Sequence, residues 1–190
     1  PPILHNCVVA EVHLQTEYLG WHTDDFLVIG RDNSGNTQKL AGQVKQTFTV
    51  SSTDSDCKSA VQDFWQDFKN PDNFSPNTDR LVLVTKLGTT ALLKHFSTLL
   101  ECSRAARDSN DFEKRFEYLS ARAVRYCEAI CEIISEVEEK KISVVEIWPF
   151  LRVLYILSLD LNSATQQTET TIKSLLAYTT KEENTLLTAE

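Results

Sequence analysis

Three polar residues that could act together on a phosphate ester lie close together in the chain. Asp25 follows Asp24 at the start of an apolar run, and Gln43 and Lys45 flank Val44. Because side chains alternate between the faces of a strand, Gln43 and Lys45 should point the same way, with Val44 directed into the core. A hairpin neighbour that begins at Asp25 would place its carboxylate beside them. Carboxylate and amide oxygens suit Mg²⁺, and a lysine can offset charge on phosphorus, so the pattern indicates metal-dependent phosphodiester hydrolysis.

Glu17 is a further candidate metal ligand, and an ordinary surface position is the alternative interpretation. It falls on the polar face of an alternating segment, Val8 to Tyr18, which is predicted to be a half-buried strand. In this scheme Lys45 is the electrostatic member of the site and not a ligand. Alternation leaves open whether Asp24 or Asp25 faces the metal, and Asp25 is favoured because it directly precedes the apolar run.

The elements that would position these residues follow an α/β order. The turn residues Asn33 to Asn36 predict an antiparallel hairpin between two strands, the second carrying Leu40 and Val44 on its apolar face. A helix is predicted to begin near 52–54 and to stop before Pro71, followed by a buried strand at 81–85 and a helix at about 90–106. Candidate phosphate contacts around the sheet edge are Arg31, Lys39, Lys58, Lys86 and Lys94, and the alternative for each is an ordinary solvated charge.

The second half of the chain has a helical pattern. Its acids are mostly Glu, whereas those of residues 1–100 are mostly Asp, and one long apolar stripe runs from Ala121 to Val137. The sequence therefore predicts an α/β core over residues 8–106 and an all-helical extension over residues 107–190.

The spacing of Asp25, Gln43 and Lys45 on this strand and helix order resembles the PD-(D/E)XK nuclease superfamily, in the variant with Gln in place of the second acid. More closely, the runs 17–25, 42–46, 63–65 and 80–85 are similar to the N-terminal endonuclease domains of large bacterial anti-phage NTPases of the STAND type. The resemblance covers roughly residues 8–100. Two departures are that only about seven residues precede Val8, where the superfamily usually has a helix, and that Gln43 removes one charge from the metal site.

This resemblance implies a PD-(D/E)XK-like core sheet flanked by helices and a metal-dependent DNA endonuclease that serves a bacterial antiviral defence protein. It implies Mg²⁺ or Mn²⁺ held by Asp25, Gln43 and Glu17, with Lys45 as a fourth catalytic residue. The expected partners are double-stranded DNA, C-terminal NTPase or sensor domains of a parent chain, and further copies of the chain. The alternative is a catalytically inactive nuclease-like module that mediates binding or oligomerisation.

The composition of the chain limits these interpretations of its function. The formal net charge of −8 argues against a sequence-blind binder of polyanions and implies weak, salt-sensitive binding of DNA by this domain alone. Five cysteines without a CxxC pair favour a reducing cytoplasm over a disulfide framework, and no apolar run is long enough for a membrane span. The absence of Met suggests a processed product or a piece of a longer protein. No Gly-rich phosphate loop follows a predicted strand, so the sequence gives little support to an enzyme that acts on nucleotides.

Overall fold

The computed structural model describes residues 4, 6–85 and 90–158 of the 190-residue chain. In chain order, the elements of these residues are β1 (Val8–Leu14), a 3₁₀ helix (Thr16–Leu19), β2 (Phe26–Arg31), β3 (Thr37–Lys45), α1 (Ser55–Lys69), β4 (Arg80–Thr85), α2 (Thr90–Ala105), α3 (Ser109–Phe116), α4 (Ala121–Val137), α5 (Trp148–Val153) and β5 (Leu154–Ser158).

The described strands form one mixed sheet in the order β1-β2-β3-β4-β5. The first three strands are antiparallel neighbours, whereas β4 runs parallel to both β3 and β5. Helix α1 makes the connection between β3 and β4, as a parallel pair requires. The predicted α/β class and the hairpin are confirmed, and the β3 and β4 strands are found to be parallel.

Local sequence explains α1 and β4 well. Asp54 caps α1 by accepting a hydrogen bond from the Cys57 backbone N–H at 2.9 Å, and Cys57, Val61 and Phe64 are buried along one side of the helix. Five consecutive residues of β4, 81–85, are buried, because the strand lies inside the sheet and both of its faces are covered.

Strand β1 differs from the prediction in length and burial. It ends at Leu14, and Glu17 lies in the following 3₁₀ helix rather than on a strand. The side chains of Val12 and Leu14 are 57% and 68% exposed, so the predicted half-buried face is wrong. The reason is that β1, at the edge of the sheet, packs mainly against β2 among the described elements, and alternation reveals a strand without revealing whether its apolar face is covered.

The faces of β3 are reversed relative to the prediction. Val44 is 44% exposed, whereas Gln43 is 2% exposed and shares its face with the buried Ala41. The small residues around Gln43 are part of the reason. Gly42 leaves room for the ring of Phe26 on the neighbouring strand, and a Cβ at this position would collide with that ring. Phe26 therefore packs over Gly42 on the face that also carries Val44, and the Gln43 side chain lies on the other, buried face of the sheet.

The second predicted segment also contributes to the sheet. Residues 154–158 form β5, a strand in a region where only helices were predicted, and it pairs with β4. The stripe on α4 is buried, with Cys127, Ile130 and Ile134 at 0% exposure. The division into 8–106 and 107–190 stays a prediction, and residues 159–190 lie outside the described part. In the described ranges, no helix combines the length and the apolar character that crossing a membrane requires.

Candidate active site

The carboxyl end of β3 meets the start of β2 at one edge of the sheet. The last residue pair of the β2–β3 ladder at this end is Phe26 with Gly42, so Asp25 precedes β2 at the end of the hairpin where Gln43 lies. One carboxylate oxygen of Asp25 accepts a hydrogen bond from the Val44 backbone N–H at 2.6 Å. This bond fixes the half-buried Asp25 beside β3. The second carboxylate oxygen of Asp25 takes no part in the bond.

Gln43 is held by α1, the helix that follows β3 in the chain. Its Nε2 donates to a carboxylate oxygen of Asp63 on α1 at 2.8 Å, and the Ser59 hydroxyl donates to the same oxygen at 3.3 Å. The Gln43 Oε1 is buried and accepts no hydrogen bond from the residues that the structure describes. A buried carbonyl oxygen without a partner is rare in native proteins and is commonly explained by a bound water or ion. This oxygen is therefore suited to a cation ligand.

Lys45 pairs with Thr85 two residues beyond Gln43 in the parallel β3–β4 ladder, so both lie on the face of Gln43. Thr85 is fully buried, and within the described ranges its hydroxyl also lacks a hydrogen-bond partner. Lys45 is half-buried and makes no ion pair among the described residues. The edge thus combines one unneutralised ammonium group with two unsatisfied buried oxygens.

The remaining predicted residues are less closely connected. Glu17 is exposed in the 3₁₀ helix, and no described contact joins its side chain to Asp25 or Gln43. The backbone N–H of Thr16 donates to the Asp24 carbonyl, which keeps the 3₁₀ helix next to the site. The Asp24 side chain is exposed, and Asp25 is the acid that contacts β3.

Asp63 is the titratable residue most affected by this environment. Burial raises the pKa of its carboxyl group above the ordinary 3.8, and the nearby negative charge of Asp24 acts in the same direction. The hydrogen bonds from Gln43 and Ser59 and the positive field of His22 partly offset this effect. The buried position that lets Asp63 bind the Gln43 amide therefore also makes its carboxyl group harder to ionise.

The raised pKa of Asp63 predicts a pH dependence of stability. An acid with a raised pKa in the folded state loses its proton first in the unfolded chain, so its contribution to the free energy of unfolding falls as pH rises above about 3.8. The substitution Asp63→Asn keeps an acceptor for Gln43 and removes this titration. We expect the stability of Asp63→Asn relative to wild type to increase from about pH 3.5 to about pH 7 in urea unfolding. A stability difference that stays constant over this range, or that changes equally in the exposed control Asp72→Asn, would contradict the assignment.

A second acid on α1 fixes the loop that leads into Asp25. The fully buried carboxylate of Asp67 accepts hydrogen bonds from the backbone N–H groups of His22 at 2.9 Å and Thr23 at 2.7 Å. The Thr16 hydroxyl closes the loop by donating to the Thr23 carbonyl at 2.6 Å. Since Asp63 and Asp67 are one helical turn apart, the same face of α1 positions both the loop and Gln43.

Removal of the Asp67 carboxylate should destabilise the protein strongly. We expect Asp67→Ala to lower the free energy of unfolding by about 2–4 kcal/mol, because two N–H groups lose a charged acceptor in a buried setting. The exposed Asp72→Ala should change it by less than about 0.5 kcal/mol. Urea unfolding followed by circular dichroism measures both values, and equal stabilities for the two variants would refute this role of Asp67.

The donor set can be compared with the needs of a hard cation. Among the described residues, no group of three or more His, Cys, Asp or Glu side chains is placed to hold a metal ion. Mg²⁺ usually keeps several waters and takes only one or two carboxylates from the protein, with substrate phosphate completing its shell. One carboxylate at Asp25 and the free Oε1 of Gln43 therefore fit such a cation, and Glu17 is not required for this minimal set.

Comparison of the chain with protein-family models, curated proteins and solved structures returns no match. The functional assignment therefore rests on the site itself.

Several residues of this region are not evident from the sequence alone. Asp63 and Asp67 lie four apart on a helix whose other residues predict core packing, and this spacing of acids is the available signal. Of the predicted phosphate contacts, Lys58 pairs with Glu136 and Lys39 donates to the Asn73 carbonyl at 2.6 Å. Lys86 lies outside the described residues.

Proposed function

We propose that this chain is a Mg²⁺- or Mn²⁺-dependent DNA endonuclease domain. The observation that carries the proposal is the position of Gln43 and Lys45 on one face at the carboxyl end of β3, with Asp25 bound to the Val44 N–H between them and with the buried Gln43 Oε1 lacking a hydrogen bond from any described residue. A carboxylate, a free amide oxygen and an unpaired ammonium group are the ligands and the charge that phosphodiester hydrolysis uses.

The residues have separate roles in this proposal. Asp25 and Gln43 would hold the divalent cation, and Glu17 would assist them. When bound, the cation supplies Lewis-acid polarisation of the phosphate and a water of lowered pKa. Lys45 contacts a non-bridging phosphate oxygen and offsets the negative charge that grows in the transition state. Asp63 keeps the Gln43 oxygen turned towards the cation by binding the amide nitrogen.

The biological setting is also a proposal. The domain acts on double-stranded DNA in the bacterial cytoplasm, as the effector part of an antiviral defence protein with C-terminal NTPase or sensor domains. The net charge of −8 makes binding of DNA by one domain weak, so clustering of several copies through the parent chain would raise the local concentration. Mg²⁺-dependent cleavage of supercoiled plasmid that requires Lys45 tests the proposal.

A second candidate function is a nuclease-like module for binding or oligomerisation. It is favoured by the apolar side chains of Val12, Leu14 and Val44, which are 57%, 68% and 44% exposed on the sheet face opposite to Gln43. The α4 stripe does not serve this purpose, because it is buried within the chain. A pure scaffold would show no stabilisation by Mg²⁺, whereas a nuclease site would.

A further inference from the structure

An open groove of about 490 Å³ lies between the chain that follows β3 and the first turns of α4. Its walls include the Ser51 and Ser52 region on one side and Arg122, Arg125 and Tyr126 on the other. It contains no residue of the candidate active site, so it is a separate feature.

The groove lies at the same sheet edge as Lys45. Residues 46–52 lead directly from the end of β3 to its wall, and α1 begins just beyond them. Helix α4 runs alongside α1 in the same direction, because Glu132 accepts from the Ser52 hydroxyl at 2.5 Å and Glu138 accepts from the Trp65 indole N–H at 2.7 Å. The start of α4 therefore lies at the edge where β3 ends.

The two arginines of the groove are available for a ligand. Both are exposed, and neither makes a hydrogen bond or ion pair through its guanidinium group within the described part of the chain. By contrast, Lys58 nearby is paired with Glu136. An unpaired guanidinium group presents a planar set of donors that matches two oxygens of a phosphate.

The acids in the groove limit how strongly an anion binds. Glu128 and Glu132 also line it, which balances the formal charge of the two arginines. The Glu132 carboxylate already accepts from Ser52, and this bond directs it to the loop side of the groove. Such a balance suits a moderate, salt-sensitive contact with a polyanion better than tight capture of a free anion.

We propose that Arg122 and Arg125 bind the phosphodiester backbone of the DNA substrate at phosphates beyond the one that is cleaved. This inference rests on the proposed function, since it extends the substrate path from Lys45 along the sheet edge to α4. Phosphate contacts of this kind fix the register of the duplex on the protein and carry no sequence information.

The test measures duplex binding in EDTA, where no cleavage step is needed. Variants Arg122→Gln and Arg125→Gln remove the charge and keep a long side chain on the helix, and Lys141→Gln, beyond the far end of α4, is the matched control. Fluorescence anisotropy with a short labelled DNA duplex gives Kd between about 50 and about 200 mM KCl. Each arginine variant should reduce the slope of log Kd against log salt by about 0.9. Over this range of salt, the wild-type protein should therefore lose roughly threefold more affinity than a variant that lacks one arginine contact.

Slopes for both arginine variants equal to those of wild type and Lys141→Gln would overturn the groove assignment, as would wild-type protein that binds no duplex at low salt. Circular dichroism of each variant establishes that the helix is intact. If plasmid cleavage fails while the arginine-dependent slope is found, the nuclease proposal fails and the backbone groove stands. If cleavage occurs with unchanged slopes, the reverse holds.

Discussion

Replacement of Lys45 by Ala is expected to lower Mg²⁺-dependent plasmid cleavage by about 10²–10³-fold, because removing one preformed electrostatic contact to a developing charge has an effect of this size. Lys45 is suited to this role because it ends β3 beside Gln43 and makes no described ion pair that would neutralise it. Its removal leaves the core intact, since the side chain is only half-buried.

The comparison is made as initial rates of nicking of supercoiled plasmid, with protein in excess over DNA. Lys114→Ala removes an exposed lysine on α3, a helix that carries no residue of the candidate site, and this control should cleave like wild type. Equal thermal unfolding temperatures exclude a folding defect. Cleavage by Lys45→Ala at the wild-type rate would refute the mechanism.

Local signals in the sequence were sufficient for the elements at the centre of the fold. The buried run 81–85 is a strand, and the helical spacing after Asp54 is α1, because propensity, capping and burial agree there. For β5 they did not suffice. Residues 154–158 form a short apolar run whose period does not distinguish helix from strand, and the free edge of β4 decides the outcome.

The reversal of β3 has a similar non-local cause. Alternation placed Val44 in the core because Val is apolar and Gln is not. In the fold, the Gln43 amide is buried because Asp63, on a different element, accepts its hydrogen. A buried polar group is tolerable when it has such a partner, and a pattern within one strand cannot reveal a partner on a helix.

The candidate site, like the fold, was predictable only in part. The two-residue spacing of Gln43 and Lys45 places both on one face of β3, and the hairpin brings Asp25 to the Val44 backbone between them, whereas the burial of Gln43 was not predicted. The supporting acid Asp67 and the arginines of the groove depend on how α1 and α4 pack, so their contribution becomes visible only in the fold.

Stabilisation by Mg²⁺ is expected to depend on Asp25. A ligand that binds only the folded protein, at about one hundred times its Kd, adds about 2.7 kcal/mol to the free energy of unfolding. For a chain of this size, that gain corresponds to a rise in Tm of about 5–10 °C. In Asp25→Asn the side-chain carbonyl still accepts from the Val44 N–H, whereas the charge that attracts the cation is lost.

The matched control is Asp24→Asn, which removes the adjacent exposed acid and also decides which of the two aspartates serves the cation. Mn²⁺ and K⁺ titrations in parallel separate divalent binding from a general effect of salt.

The most direct test of the metal site is therefore the Tm of wild type, Asp24→Asn and Asp25→Asn as a function of Mg²⁺ concentration. The site described here predicts a saturable rise in wild type and Asp24→Asn that disappears in Asp25→Asn. A Tm that does not respond to Mg²⁺ in wild type, or a rise that persists in Asp25→Asn, would contradict it.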